Sequence, residues 1–159
     1  LPRGVLFREE EKHIRKALIE SDLVEAVIGL APNLFYNSPM EACIMICRSK
    51  KTAAAKGHVL FINAVKEVTR KNGESYLERG HIQKIIDAYR KRHSDGTFSY
   101  DATNAEIAAI NYNLNISRYA HQSIVETGSK VSLADAFAGW QESDSTDAGA
   151  LDEILDAVR

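Results

Sequence analysis

Apolar residues in this chain fall into two patterns: short unbroken runs, and stripes repeating every three to four positions. Residues 23–30 (LVEAVIGL) are apolar apart from Glu25, and residues 42–47 (ACIMIC) contain no polar side chain. Residues 58–64 (HVLFINA) form a third run. Runs of this length, rich in Val and Ile, predict strands. A run with no polar position predicts a strand buried on both faces, central in a layered α/β sheet. The short polar connection at 48–57 predicts that the third run pairs antiparallel with the second. Residues 4–7 read as the tail of a further strand.

Helical stripes fill the spaces between. Glu9, Glu10 and Glu11 suit a helix start, and Ile14, Ala17, Leu18 and Ile19 follow at helical spacing, predicting a helix over about 9–20 ended by Ser21-Asp22. Ile82, Ile85, Ile86 and Tyr89 predict an amphipathic helix over 79–93, with Arg90, Lys91, Arg92 and His93 at its C-terminal end. Residues 65–78 read as a loop or an irregular helix, and 98–100 as a short strand. Asn104 is positioned to cap a brief helix carrying Ile107 and Ile110. Residues 111–119 (NYNLNISRY) are Asn-rich with regularly placed apolars and predict no particular element. Two further stripes, Leu133/Phe137/Trp140 after a Ser132 cap and Leu151/Ile154/Leu155/Val158, predict helices separated by a polar, acidic linker at 141–150. A short tethered helix of this kind either docks on a partner or folds back on its own domain.

Length and composition bound the classes. A chain of 159 residues, 45% apolar and 26% charged, holds one globular core. No apolar run approaches the roughly 20 residues of a membrane span. Cys43 and Cys47, four apart on a strand, would lie about 13 Å apart, too far for a disulfide; both are expected as buried free thiols in a reducing cytoplasm. The opening Leu-Pro-Arg-Gly-Val-Leu-Phe lacks an initiator Met and reads as the interior of a longer protein. Charge is uneven: residues 1–120 hold 18 Lys/Arg against 14 Asp/Glu, and 121–159 hold Lys130 and Arg159 against eight acids. A mildly basic body with an acidic tail is compatible with nucleic acid on the body and equally with plain surface solvation.

Candidate chemistry is sparse. There is no glycine-rich phosphate loop and no Gly-x-Ser-x-Gly elbow. The five histidines form no ligand pair, and His58 reads as a structural residue. Glu25 and Glu41 flank the segment between the first two runs, where solvation at a sheet edge accounts for them as well as acid–base work does. The distinctive stretch is 31–41 (APNLFYNSPME). It holds adjacent aromatics, Phe35 and Tyr36, between Pro32 and Pro39, and is anchored by apolar runs on both sides. A loop held out from a rigid scaffold is where binding residues concentrate. An aromatic pair at a strand end is also a common core cap.

The succession LPRGVLFR, IRKALIESDLVEAVIGLAPNLFYNSPMEACIMICRSK, KGHVLFINA, HIQKIIDAYR and NYNLNISRY resembles the second half of the modification subunit of type I restriction-modification systems, an adenine-N6 DNA methyltransferase family. The resemblance covers about residues 1–120. It implies an α/β fold: the C-terminal part of a Rossmann-like S-adenosylmethionine-dependent methyltransferase sheet with an antiparallel last strand, followed by a helical C-terminal region. Residues 1–64 would be the second half of the methyltransferase domain, 65–120 a helical extension, and 121–159 an acidic helical tail. The function implied is methyl transfer to adenine N6 in DNA. The competing reading is a non-catalytic assembly or DNA-binding module on the same fold remnant. Methylating the exocyclic amine requires extruding the base, and the resemblance places Phe35, with Tyr36 beside it, as an aromatic wall for that base.

The family's glycine loop for S-adenosylmethionine and its Asn-Pro-Pro-aromatic motif are absent; proline occurs only at 2, 32 and 39. The family's loop also often reads Gly-Ile-Pro where this chain has Ser38-Pro39-Met40. The resemblance therefore implies that donor binding and catalysis need residues before Leu1, and that no donor binds this stretch alone. Implied partners are DNA and the specificity and restriction subunits, with no membrane. Lys50, Lys51 and Lys56 are candidates for DNA phosphates. Leu133, Phe137, Trp140, Leu151, Ile154 and Leu155 are candidates for subunit docking.

Overall fold

The computed structural model describes residues 1–35, 38–71 and 74–121, which lie in one unit spanning Leu1–Ser123. In chain order the elements are α1 (Lys12–Glu20), β1 (Val24–Leu30), β2 (Cys43–Cys47), β3 (His58–Ala64), β4 (Thr69–Lys71), β5 (Glu74–Tyr76), α2 (Arg79–Lys91), β6 (Ser99–Thr103) and α3 (Asn104–Ala109). Two 3-10 turns, Arg3–Leu6 and Ile116–Arg118, complete them. The expected α/β class holds. The helix at 79–93 and the strands at 23–30 and 58–64 appear close to their expected bounds.

Strand β1 is buried at all seven positions because both faces of the sheet are covered. Leu6, Ile19, Val27, Phe61, Ile107, Leu114 and Ile116 fill one side, beneath α1, α3 and the 3-10 turns. Ala26, Ile28, Leu30, Leu60, Ile62 and Ala88 fill the other, beneath α2. A register shift between Val24 and Ala26 marks a bulge, which lets Val24 and Ala26 serve opposite faces. Gly29 is needed for close approach: a Cβ there would stand 2.8 Å from Ile116 Cδ1.

The sheet order is β2-β1-β3-β6. β1 and β3 run parallel, while β2 on β1 and β6 on β3 are antiparallel. Two expectations are corrected here. The polar-free run at 42–47 is not central: Ile44 is 46% exposed and Cys47 is exposed, while Cys43 is buried. And β3 does not pair with β2. The 48–57 connection crosses the amino end of β1 and delivers β3 to its far side, so the two strands that follow each other in sequence are separated by a third.

That crossing is held by one node. Asp22, at a left-handed φ of 53°, accepts from Lys51 Nζ at 2.6 Å, from the Gly57 N–H at 3.1 Å and from Asn104 Nδ2 at 3.1 Å. Lys51 also donates to the His58 carbonyl at 3.0 Å, and its side chain is only 1% exposed. Asn104 is therefore not the cap of α3. Thr103 caps it, in a reciprocal box with Glu106.

Other expectations shift for physical reasons. Residues 4–7 are not strand: Arg3–Leu6 form a 3-10 turn, with the Phe7 and Arg8 N–H groups donating to Gly4 O, and it is Pro2 that forms a β-bridge, to Ala42. In α1, Ile14 is half exposed and Arg15 is buried in its place. Arg15 bonds the carbonyls of Val5, Arg8 and Tyr112 at 2.7–3.1 Å. Where a loop or an irregular helix is expected, β4 and β5 pair antiparallel, Thr69 with Tyr76 and Lys71 with Glu74. Glu25 is buried, not solvated, and accepts from Arg48 Nε at 2.5 Å. The Asn-rich stretch turns through left-handed Asn111 and Tyr112 and ends with Tyr119 stacked on Phe61 at 3.8 Å. Burial pushes the Tyr119 hydroxyl well above its ordinary pKa, and that hydroxyl donates to Asn113 O at 2.7 Å. Among the described residues no helix is long and apolar enough to cross a membrane.

Two stability outcomes follow. Arg15→Ala leaves three carbonyls without their donor and is expected to cost on the order of 2–3 kcal/mol, read as a lower urea midpoint. Burial opposes ionisation of Asp22, but the bonds from Lys51, Gly57 and Asn104 outweigh it and hold its carboxyl below the usual aspartate range. The unfolded chain therefore takes up this proton at higher pH than the native one. The node's contribution is complete above the ordinary value of about 3.9 and is lost as pH falls below it toward the depressed native value. Urea midpoints between about pH 6 and pH 3 should fall less steeply for Asp22→Asn than for the parent chain; parallel slopes would remove Asp22 from the linkage.

Candidate functional site: a cleft at the carboxyl ends of β1 and β3

The parallel register pairs Leu30 with Ala64, so the two strands end side by side. Ligands of open α/β sheets bind beyond such carboxyl ends. Two segments leave from there: the 31–41 loop after β1 and residues 65–70 after β3. Between them lies an open cleft of about 560 Å³ lined by Pro32, Glu41, Val65, Lys66, Val68 and Arg70.

The described parts of the loop are tied down at its base and at its far end. At its base, the Leu30 N–H donates to Ala42 O at 2.9 Å. Ala31 is fully buried, and Asn33 takes the left-handed turn at φ 61° that asparagine tolerates. Leu34 packs into the core beneath α2, and its neighbour Phe35 is turned out, 55% exposed. The Ser38 N–H donates to Phe35 O at 3.1 Å and closes the tip. Met40 is also exposed. At the far end Arg3 clamps the loop. Its guanidinium pairs with Glu41 and also reaches Asn115 Oδ1 at 3.1 Å and Ser117 Oγ at 2.5 Å. Phe35 is thus an apolar side chain held in water by a constrained backbone, not a core cap.

One acid and two cations line the cleft. Its acid, Glu41, is already paired with Arg3. The adjacent acid Glu67 is bonded by Lys84 Nζ of α2 at 2.5 Å. Lys66 and Arg70 are exposed cations in the lining.

Of the residues singled out by sequence, the structure brings Phe35 to this edge. Tyr36 lies outside the described residues, as do Leu133, Phe137, Trp140, Leu151, Ile154 and Leu155. Lys50 and Lys56 are exposed on the 48–57 connection, at the opposite, amino end of β1 and β3. Lys51 is corrected: it is a buried partner of Asp22, with no surface to offer a phosphate. Lys66 and Arg70 were missed. Their signal is positional, since they follow an apolar run much like the one preceding the aromatic loop. That signal acquires meaning only once the two runs are known to be parallel. Among the described residues no group of His, Cys, Asp and Glu could hold a metal ion.

Residues 1–127 match the N-6 DNA Methylase family. The chain is 35% identical over 162 residues to the type I restriction enzyme MjaVII methylase subunit of Methanocaldococcus jannaschii, covering 99% of this chain and 28% of that protein. It is 30% identical over 119 residues to the MpnII methylase subunit of Mycoplasma pneumoniae, covering 74% of this chain and 22% of that protein. The chain thus spans about a quarter of the length of these relatives. A crystal structure of a type I restriction-modification methyltransferase subunit from Streptococcus thermophilus superposes with a TM-score of 0.70 at 39% identity, over 76% of this chain and 25% of that one. The match over four-fifths of the sequence and the shared fold place this chain in the N-6 DNA methylase family.

Proposed function

We propose that this chain is the C-terminal part of a type I modification subunit and that its 31–41 loop forms one wall of the pocket for the target adenine. The observation that carries the reading is Phe35: an exposed aromatic on a clamped loop, at the carboxyl edge of the sheet, in a family of DNA N-6 methylases. A base taken out of the duplex loses its stacking partners, and an aromatic face restores roughly 1–3 kcal/mol of that loss. The sheet is read as the end of a Rossmann-like methyltransferase sheet with its last strand reversed. This is supported by β2, which is antiparallel to β1 on one side and bridged by Pro2 through Ala42 on the other. The non-catalytic alternative leaves the outward Phe35 without a role.

The described residues do not fit a site for S-adenosylmethionine. The segments after β1 and β3 begin Ala31-Pro32 and Val65-Lys66, with no glycine loop to admit the donor. Donor binding and amine activation are assigned to other parts of the full-length protein, and this stretch alone to neither. DNA is the substrate, and the specificity and restriction subunits of the same system are the partners. The tail residues Leu133, Phe137, Trp140, Leu151, Ile154 and Leu155 are proposed to dock on the specificity subunit. In the assembled full-length enzyme, Phe35→Ala should lower methyl incorporation into DNA by roughly tenfold to a hundredfold, while donor affinity by calorimetry stays unchanged. Equal loss of both, or a lower melting temperature, would return Phe35 to a structural role.

A further inference from the structure

We infer that Arg3, Asn115 and Ser117 are positioning residues for the 31–41 loop: residues 113–119 are a fixed platform, and the Arg3 guanidinium carries the platform's position to Glu41. This rests on the reading of the loop above and gives a role to the Asn-rich stretch, which that reading does not use. The platform is seated on two strands. Ile116 is buried against Gly29 of β1, where a Cβ would stand 2.8 Å from its Cδ1. Tyr119 stacks on Phe61 of β3, and the Leu114 N–H donates to Leu6 O at 2.8 Å. Asn113 Oδ1 accepts from the Asn115 N–H at 2.9 Å, and Asn115 Oδ1 accepts from the Ser117 N–H at 3.4 Å. Asn115 and Ser117 therefore present two side-chain oxygens at a fixed place. Arg3 meets both with one nitrogen, Nη2, at 3.1 and 2.5 Å, while Nη1 pairs with Glu41. A guanidinium holds its donors in a rigid planar fork. Glu41 is thus set relative to the platform as well as neutralised.

The fold does not need this side chain to join the two segments. The Arg3 N–H already donates to Glu41 O at 3.3 Å, and Pro2 bridges to Ala42. The guanidinium adds a fixed direction for the limb that carries Glu41. That limb runs to Phe35 through Pro39, whose φ is fixed, and through the bond from the Ser38 N–H to Phe35 O. Misplacing a reacting group by about 1 Å can cost roughly a hundredfold in rate, so a loop that walls a base pocket gains from such a tie.

The test uses the full-length enzyme assembled with its partner subunits. For each variant the single-turnover rate of methyl incorporation, the affinities for DNA and donor, and the melting temperature are measured. Arg3→Met should lower the rate roughly tenfold to a hundredfold, with both affinities close to the parent's. Its melting temperature should stay near the parent's, because the pair with Glu41 is partly exposed. Glu41→Met should show the same loss. Ser117→Ala should lower the rate in the same direction, and adding it to Arg3→Met should cost little more, as for residues that act as one unit. Additive losses overturn the inference. So does a loss in Arg3→Met with none in Glu41→Met, since Arg3 would then act directly on DNA as a cation. A loss that only tracks the melting temperature overturns it as well; Ser117→Ala, which leaves the ion pair in place, decides the matter if Arg3→Met melts early. If Phe35→Ala lowers methylation and Arg3→Met does not, the positioning role fails and the pocket reading stands. If Phe35→Ala has no effect, the pocket reading fails and this inference falls with it.

Discussion

The parallel pairing of β1 with β3 is the constraint from which the rest follows. It requires the chain to leave β1, turn back through β2 and cross the amino end of β1 before β3 can begin. That crossing places a polar connection against the start of a fully buried strand, where its charges cannot all face water. The Asp22 node answers this. Lys51, the Gly57 N–H and Asn104 converge on one carboxylate, joining the α1–β1 turn, the crossing and α3. Arg48 closes over Glu25 beside it. Buried charges persist only when paired, and here each pair also fixes where a connection runs.

The opposite end of the same two strands is built differently. The amino edge is stitched shut by ion pairs, whereas the carboxyl edge is left open as a cleft between two outgoing segments. Arg3 sets the character of that opening. By holding Glu41 and bridging to Asn115 and Ser117, it anchors the aromatic loop and removes the negative charge from the lining. The anchoring of the loop's far end and the pairing of the acid in the lining therefore have a common origin.

Much of this was legible in residue order. The runs at 23–30 and 58–64 and the stripe at 82–89 became β1, β3 and α2, since burial and period are local properties of sequence. The loop between Pro32 and Pro39 stood out because its aromatics sit among turn-forming residues. The misreadings have one cause. An apolar run records that a strand is covered, not by what, so ACIMIC looked central although it lies beside β1 at the margin. Lys51 and Lys50 are identical in sequence terms, yet one is buried in an ion pair and the other is exposed. Arg15 displaced Ile14 from the inner face of α1 because three carbonyls from distant turns converge there, which no helical period encodes.

Sequence by itself determined the α/β class, the main buried strands, the helix expected over 79–93, the family resemblance and the position of the aromatic loop. Apart from the resemblance, which needs five blocks in order over about residues 1–120, these depend on local composition and spacing. Tertiary structure alone decided the strand order, the parallel register, the burial of Lys51 and Glu25, and the meeting of Lys66 and Arg70 with the Phe35 loop. Those are set by contacts between segments distant in the chain, where position in space and not position in the chain decides which charges are paired.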